Sequence, residues 1–537
     1  MSATRVPKAN RPPTPQKVAN LRATFTQYEV TLRGKTARSL AVLQPATVEK
    51  VGEFARNLGV CEVVLSQAAA LRIERIDPNR ITLTDLAACV KAVGPEGKQE
   101  LVLDLDSLQQ VKRNPFKILR TIAMDVFMLT FPKLGRKVAN KKYSFAFCVH
   151  PRKFQDVING FPMIKIVPNI FGLREAVLKR LPPFRLSEIT LNGETGILMC
   201  VGWDRGMFEK SEIKHEAQVE KNKKQENDLN QAQKKIVRMA VLAKRWGVEY
   251  IGLGALLPRY SNYGYCLHPG EQDKITKDQE EIAGLTVTTG HAYTVLVISK
   301  MVNKLRETIL AVRAEKKPSV PAKEPIVAIV GAAGSTGACS ARKAAADGAR
   351  NILLVDMEKK TKVARLDSLK KELEGIYEGL TVEISTSVEA LKGADIVVVV
   401  SSAPNVIIKS EHLKDGCFVV DDTQPVNVCP QISIERKGHV QVLKVLAPVK
   451  GIFPRYRFDR HTPLTDYVFT CLADLIMRVK TTLKKDTIGA VELEAVEELD
   501  RVTAENEIHV FGEDDFFGLG QEKVSIEDIK AIALFAA

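Results

Sequence analysis

The chain of 537 residues is 45% apolar and 26% charged, the balance of a soluble globular protein, and it is long enough for two to four domains. Its formal charge of +14 favours acidic partners, but with 6% aromatic residues and no nucleic-acid-binding signature, nucleic acid is not expected among them. Nine cysteines (61, 89, 148, 200, 266, 339, 417, 429 and 471) form no CxxC pair or His-rich spacing, which argues against a metal site or a disulfide framework and for a reducing, cytoplasmic setting.

Residues 1–20 are basic and proline-rich without an apolar centre, and read as a disordered arm rather than a signal peptide. No apolar run is long enough to span a membrane. Residues 21–144 alternate expected strands (28–34, 61–67, 100–106) with helical patterns (47–59, 82–94), a small α/β domain. Its last stretch, 112–142, is an apolar helix flanked by Lys and Arg and interrupted by Lys117, Arg120 and Asp125. Two placements are open for it: flat in a membrane interface with its cations at lipid phosphates, or packed on a neighbouring domain.

A second unit, 145–322, opens with the strand YSFAFCVH and carries a highly charged helical segment, 209–247, whose second half IVRMAVLAKRWG is amphipathic and expected to dock. The proline-rich stretch AEKKPSVPAKEP (314–325) reads as a hinge into the next domain.

From 323 to 465 the pattern is that of a doubly wound parallel sheet of the Rossmann type, with strands expected at IVAIV (326–330), NILLVDM, TVEIS, DIVVVVSS, CFVVDD and VQVLKVL. The first runs into VGAAGSTG and an alanine-rich helix. Gly331 permits a tight turn, Gly334 a close approach of backbone to a pyrophosphate and Gly337 close helix packing, while Ser335 and Thr336 open the helix. Asp356, nineteen residues past Gly337, stands where a carboxylate meets ribose hydroxyls. Ser401, Ser402 and Ala403, after the fourth strand, complete the expected cofactor contacts. The last region, 466–537, is helical, and its VFTCLADL carries Cys471, by pattern a small core residue unless the cations of the preceding loop, Lys450, Arg455, Arg457, Arg460 and His461, activate it.

Seven stretches in shared order, FAFCVHP (145–151), KRWGVEYIGLGAL (244–256), GLTVTTGHAYTVLVISKMV (284–302), VGAAGSTG (330–337), 399–425, VFTCLADLIM (468–477) and GLGQEKVSIEDIKAI (518–532), resemble the cyanobacterial long-chain acyl-ACP reductase family, within the shikimate-dehydrogenase-like reductases. The resemblance covers about 145–537 and implies NADPH-dependent reduction of an acyl thioester to a fatty aldehyde. It makes Cys471 the acyl-accepting nucleophile and an acyl carrier protein or CoA thioester the substrate, with Thr289, His291 and Tyr293 of the loop 288–294 and the basic loop 450–461 as oxyanion donors. The chain departs from that family at His291, where asparagine is usual, and at Tyr293, where histidine is. Asp356 departs too, since its charge opposes the 2′-phosphate of NADPH and argues for NADH. Two other functions fit the same residues: an amino-acid or shikimate-type dehydrogenase without a covalent step, and a dinucleotide-binding scaffold at a membrane.

Overall fold

The computed structural model describes residues 115–138 and 142–536, with interruptions at 152–163, 165–172, 192–193, 222–228, 269–274, 404, 424–425, 450–451, 455–466 and 520–522; before 115 it describes four strands. The arm 1–20 and the helix expected at 47–59 lie outside the described residues.

The four strands are β1 (Glu29–Arg33), β2 (Glu62–Ser66), β3 (Val90–Val93) and β4 (Glu100–Leu103), in the order β1-β2-β4-β3. β1, β2 and β4 run parallel, and β3 is antiparallel to β4. Val90–Val93 corrects the helix expected over 82–94: pairing with the strand that follows outweighs the local helical pattern of a four-residue Val-Lys-Ala-Val run.

The basic stretch forms α1 (Pro115–Thr130) and α2 (Pro132–Val138), interrupted where Pro132 cannot donate a backbone hydrogen bond. Its inner face packs. Ile118, Ile122 and Met128 are buried, and the carboxylate of Asp125 has no solvent exposure. Arg185 closes on that carboxylate with its backbone N–H and its Nε, each at 2.7 Å, and Trp246 Nε1 donates to it at 3.1 Å. The Arg185 guanidinium also lies 3.6 Å from the centre of the Trp246 ring, so one cation is shared between a carboxylate and an indole. Arg245 donates to the carbonyls of Met128 and Leu129 and caps the C-terminal end of α1. The packed placement therefore holds for one face. On the other face Leu119, Val126, Phe131, Leu134 and Val138 are exposed beside exposed Arg120, Lys133 and Lys137. No helix among the described residues is long and apolar enough to cross a membrane.

The second unit is a six-stranded sheet of β5 (Phe145–Val149), β6 (Phe184–Leu191), β7 (Glu194–Cys200), β8 (Tyr250–Leu253), β9 (Thr286–Thr288) and a strand from later in the chain, β17 (Ile452–Pro454), in the order β17-β6-β7-β5-β8-β9. β6 is antiparallel to both its neighbours, and β7, β5, β8 and β9 are parallel. The charged segment gives α3 (Arg205–Lys221) and α4 (Gln231–Arg245), and α4 docks as its pattern predicts, burying Ile236, Val237, Met239 and Leu242 against one face of the sheet.

β9 feeds α5 (His291–Lys316), which at 26 residues is roughly 39 Å long and buried on most of its circumference. It is buried so widely because it packs against both halves of the molecule: on α8 (Thr470–Thr481), which lies on β5 and β8, and on α6 (Ser335–Ala346), α9 (Leu493–Glu505) and α10 (Ile526–Ala536). One apolar cluster thus runs from Phe147 through Leu296 and Leu305 to Ile329.

The third unit has the six expected strands, β10 (Ile326–Val330), β11 (Asn351–Val355), β12 (Thr381–Ser385), β13 (Ile396–Val399), β14 (Cys417–Asp421) and β15 (Val440–Lys444). They are all parallel in the order β12-β11-β10-β13-β14-β15, with α6 and α7 (Lys360–Ile376) as early crossovers. This is the 3-2-1-4-5-6 order of a Rossmann-type sheet, with its switch point between β10 and β13. Two short strands, β16 (Ala447–Pro448) and β18 (Tyr467–Val468), pair beside it and lead into α8.

Replacing Arg185 with Met would strand Asp125 in the interior without its counter-charge, and should cost about 3–5 kcal/mol. The check is the urea midpoint of the variant; a midpoint equal to the wild type's would show that the pair does not hold α1 to the sheet.

Candidate active site

β10 ends at Gly331, whose φ of 93° lies in the left-handed region that glycine enters without strain. Its N–H donates to Val355 O at 2.8 Å, and a side chain there would meet Val400 O and the Ser401 backbone within 3.2 Å. Gly337 lets α6 approach the turn, since a Cβ would fall 2.3 Å from Gly331 O. Gly334 differs: its Cβ direction meets Gly331 O at 3.1 Å and, among the described residues, nothing else within 4 Å, so this side of the turn is open. The first-turn amides of α6, at Ser335, Thr336 and Gly337, have no intrahelical partner, and Gly331, Gly334, Ser335 and Thr336 are all partly exposed. Small residues, open space and free amides at a helix N-terminus fit a pyrophosphate.

Asp356 is buried beneath this turn and supports it. One carboxylate oxygen accepts the Ala333 N–H at 3.0 Å and the Lys362 ammonium at 3.3 Å, and the other accepts the Met357 N–H at 2.8 Å. The cation beside it is Lys362, from the first turn of α7. Ser401 and Ala403 form a tight turn after β13 in which Ser401 Oγ accepts the Ala403 N–H at 3.0 Å; Ser402 is exposed, and Asn427 Nδ2 fastens the turn through Ala403 O at 2.9 Å.

Cys471 is the second residue of α8, half-buried, with the helix N-terminus behind it. The loop of His291 is pressed onto it: Gly290, at φ 75°, passes so close that a Cβ would sit 2.4 Å from Cys471 Cα. Burial pushes the thiol up to about 12, and the negative charge of Asp422 adds to this. Against them, the backbone N–H groups of Leu472, Ala255 and Cys471 itself approach the sulfur and favour the thiolate, as does the positive end of the helix. Ala255 does this from a left-handed conformation, φ 53°, which a non-glycine residue holds at a cost of about 1 kcal/mol.

Cys471 and the glycine turn share one cleft. Gly331 touches the end of β13, Asp422 follows β14 with its N–H on Val399 O at 3.1 Å, and Thr470 Oγ1 reaches Asp422 Oδ1 at 3.5 Å. From the turn to Asp422 is two strand spacings, about 10 Å, and Thr470, the residue before Cys471, lies on the far side of that carboxylate.

The other expected site residues divide. His291 is at the cleft, its Nδ1 buried without a partner among the described residues and its imidazole lowered by burial to about 4, so the ring is neutral at pH 7. Thr289 is buried and its N–H is committed to Thr487 O at 3.1 Å, which removes that amide as an oxyanion donor. Tyr293 is in the core at 1% exposure, with its phenol pushed above the ordinary range by burial and by the charge of Asp474. The cations Lys450, Arg455, Arg457, Arg460 and His461 lie outside the described residues. Sequence reasoning missed Asp422 and Ala255. For Asp422 a signal existed in the pair of carboxylates closing the strand CFVVDD, since ligands of such sheets gather at the carboxyl ends of strands.

No protein-family model matches the chain, and no curated protein matches it in sequence. Among solved structures, it is similar to the iminosuccinate reductase of Paracoccus denitrificans in complex with NAD+ (18% identity, 23% of this chain and 35% of that one, TM-score 0.16). It is similar also to quinate dehydrogenase from Corynebacterium glutamicum in complex with NAD (11% identity, 68% of this chain and 100% of that one, TM-score 0.26). A third is shikimate 5-dehydrogenase from Listeria monocytogenes in complex with shikimate and NAD (11% identity, 57% and 87%, TM-score 0.24). All three scores are below 0.5, and the fold assignment stands on the strand order itself.

Gly290→Ala should force the His291 loop off α8, because the added carbon meets backbone and the φ is unfavourable; a loss of about 1–3 kcal/mol in stability and faster alkylation of Cys471 are expected. Urea unfolding and iodoacetamide labelling read both, and a variant unchanged in each would mean that the contact with Cys471 is not held in solution.

Proposed function

We propose that the chain is a nicotinamide-dependent reductase that takes an acyl group from a thioester onto Cys471 and releases it as an aldehyde. The observation that supports this reading most is the seating of Cys471 at a helix N-terminus, among three backbone amides, on a helix that meets Asp422 at the carboxyl edge of the Rossmann-type sheet that carries the open glycine turn. Thiol esters are attacked by thiolates, and an acyl-enzyme divides one difficult reduction into two easier steps.

The residues present fit a dinucleotide. The amides opening α6 and the open side of Gly334 would hold the pyrophosphate, the turn at Ser401–Ala403 would border the nicotinamide end, and Asp356, which keeps the glycine turn in shape through Ala333, would offer its remaining acceptor capacity to ribose hydroxyls. Its charge opposes a 2′-phosphate and Lys362 only partly offsets it, which puts NADH first and NADPH second. When bound, the dinucleotide supplies the hydride.

Around the thiol, the chain's own groups set the chemistry. Helix α8 and the amides of Ala255, Leu472 and Cys471 stabilise the thiolate once its proton has left. The neutral His291 adds no competing charge. The excess of cations favours an acidic acyl carrier or the phosphates of CoA as the source of the acyl group. A non-covalent dehydrogenase of shikimate or amino-acid type is the second reading, and the observation in its favour is the thiol raised to about 12, which leaves Cys471 protonated at neutral pH unless a neighbour takes the proton.

Incubation with acyl-CoA or acyl carrier protein thioesters in the absence of dinucleotide should give an adduct of one acyl group on the intact chain, and Cys471→Ser should abolish it. No adduct at any chain length would favour the second reading. Independently, Gly334→Val should fill the open side of the glycine turn and weaken NADH binding by at least about 100-fold in a fluorescence titration, roughly the 3 kcal/mol of a lost charge-assisted contact. Undiminished binding would remove the pyrophosphate from this turn.

A further inference from the structure

We propose that Asp422 is the proton carrier for Cys471: its carboxylate takes the thiol proton as the sulfur attacks and hands it to the thiolate that leaves. The inference rests on the acyl-enzyme reading above and deepens it.

The two carboxylates that close β14 have separate surroundings. Asp421 has no exposure and is saturated: it accepts the Lys444 ammonium at 3.1 Å, the Thr423 N–H at 3.0 Å and the Thr423 hydroxyl at 2.5 Å, which gives it a structural role. Asp422 is half-buried, faces α8, and has Thr470 Oγ1 at 3.5 Å. Thr470 in turn lies 2.6 Å from Thr294 Oγ1, and Thr294 Oγ1 lies 3.0 Å from the carbonyl of Gly290, the residue pressed on Cys471.

Each hydroxyl in this row owns one proton, so its order can be counted. With Asp422 ionised, Thr470 donates to the carboxylate and Thr294 donates to Thr470. With Asp422 protonated, the carboxyl donates to Thr470, Thr470 to Thr294, and Thr294 to Gly290 O. In the first order Gly290 O still accepts the Thr294 N–H at 3.2 Å, so neither order leaves a carbonyl without a partner. A group held in a row that serves both of its protonation states is suited to exchange a proton.

Electrostatics agrees with the count. Burial raises the Asp422 carboxyl to about 7, with Lys444 lowering it and Asp421 raising it. The Asp422 charge disfavours the Cys471 thiolate, so the thiol proton leaves most readily when the carboxylate gains one. Among the described residues, Lys444 is paired with Asp421 and Asp474 with Arg478 at 2.7 Å within α8, while His291 is neutral.

The step balances without a redox partner. The Cys471 S–H proton passes to the Asp422 carboxylate, the sulfur bonds to the thioester carbonyl carbon, the carrier's C–S bond breaks, and the carrier sulfur leaves with the proton from the Asp422 carboxyl. Thiol plus thioester gives acyl-enzyme plus carrier thiol, and Asp422 is returned to its starting state.

The test uses the full-length chain without dinucleotide, acyl-CoA as donor and intact mass as readout. In the wild type the acylation rate should rise with pH through about 7, as Asp422 ionises. In Asp422→Asn it should fall about 100-fold or more at pH 7 and lose that inflection. Iodoacetamide, which needs only the thiolate, should move the opposite way: without the Asp422 charge the thiol pKa drops, and alkylation of Cys471 at pH 8 should become several-fold faster. A folding defect does not produce these opposite changes together with a lost inflection. Acylation in Asp422→Asn with the wild-type rate and pH profile would overturn the proposal. If the wild type itself takes no acyl group, the acyl-enzyme reading fails, and the alkylation arm alone judges Asp422: equal rates in wild type and variant would end its coupling to the thiol as well. Should Asp422→Asn not fold, the wild-type profile decides, because a rate that rises only toward pH 12 would show the thiol titrating without help.

Discussion

One buried carboxylate fixes the geometry of this cleft. Asp474, without solvent exposure, accepts the Thr288 hydroxyl at 2.6 Å from the end of β9 and Arg478 Nε at 2.7 Å one turn along its own helix. Thr288 Oγ1 also accepts the Gly290 N–H at 2.9 Å, so the turn leading to His291 and the helix bearing Cys471 are drawn to a single anion. A buried carboxylate demands all of its partners, since any one left out exposes it to the full cost of desolvation. That demand, more than any contact of Cys471 itself, explains why Gly290 sits against the cysteine backbone and why glycine is required there.

The long helix α5 extends the same constraint to the rest of the molecule. Its first turn belongs to the cleft and its later turns to the Rossmann-type domain, where Arg313 donates to Asp395 at 2.6 Å and Arg306 spans to the carbonyl of Asp347 at 3.2 Å. A helix buried against both units transmits the position of one to the other, since a shift at its N-terminus has no apolar slack to absorb it. The glycine turn and the cysteine therefore keep their spacing although 140 residues separate Gly331 from Cys471 in the chain.

Within the cleft opposing effects meet at one sulfur, and burial outweighs the rest. Burial and a neighbouring carboxylate favour the thiol; three amides and a helix N-terminus favour the thiolate. Such a balance is moved by one proton. At Asp356 the balance is instead settled by structure, because its two oxygens already hold the glycine turn and the cation Lys362.

The sequence by itself determined the third unit almost residue for residue. Strands buried on both faces must be unbroken apolar runs, and runs such as IVAIV and CFVVDD, bounded by turn residues, leave no other reading. It determined the glycine turn as well, because a left-handed φ and close backbone approach admit few residues. It did not determine the strand Val90–Val93, whose identity comes from its antiparallel partner, or which face of the 112–142 stretch would pack, which Arg185 and Trp246 decide from at least 60 residues away. Only tertiary structure took Tyr293 into the core, committed the Thr289 amide to Thr487, and brought Asp422 and Ala255 to the sulfur. The reason is the same in each case: a local pattern records which residues prefer burial or a turn, whereas the protonation state of a thiol is set by charges and amides that arrive from strands distant in the chain.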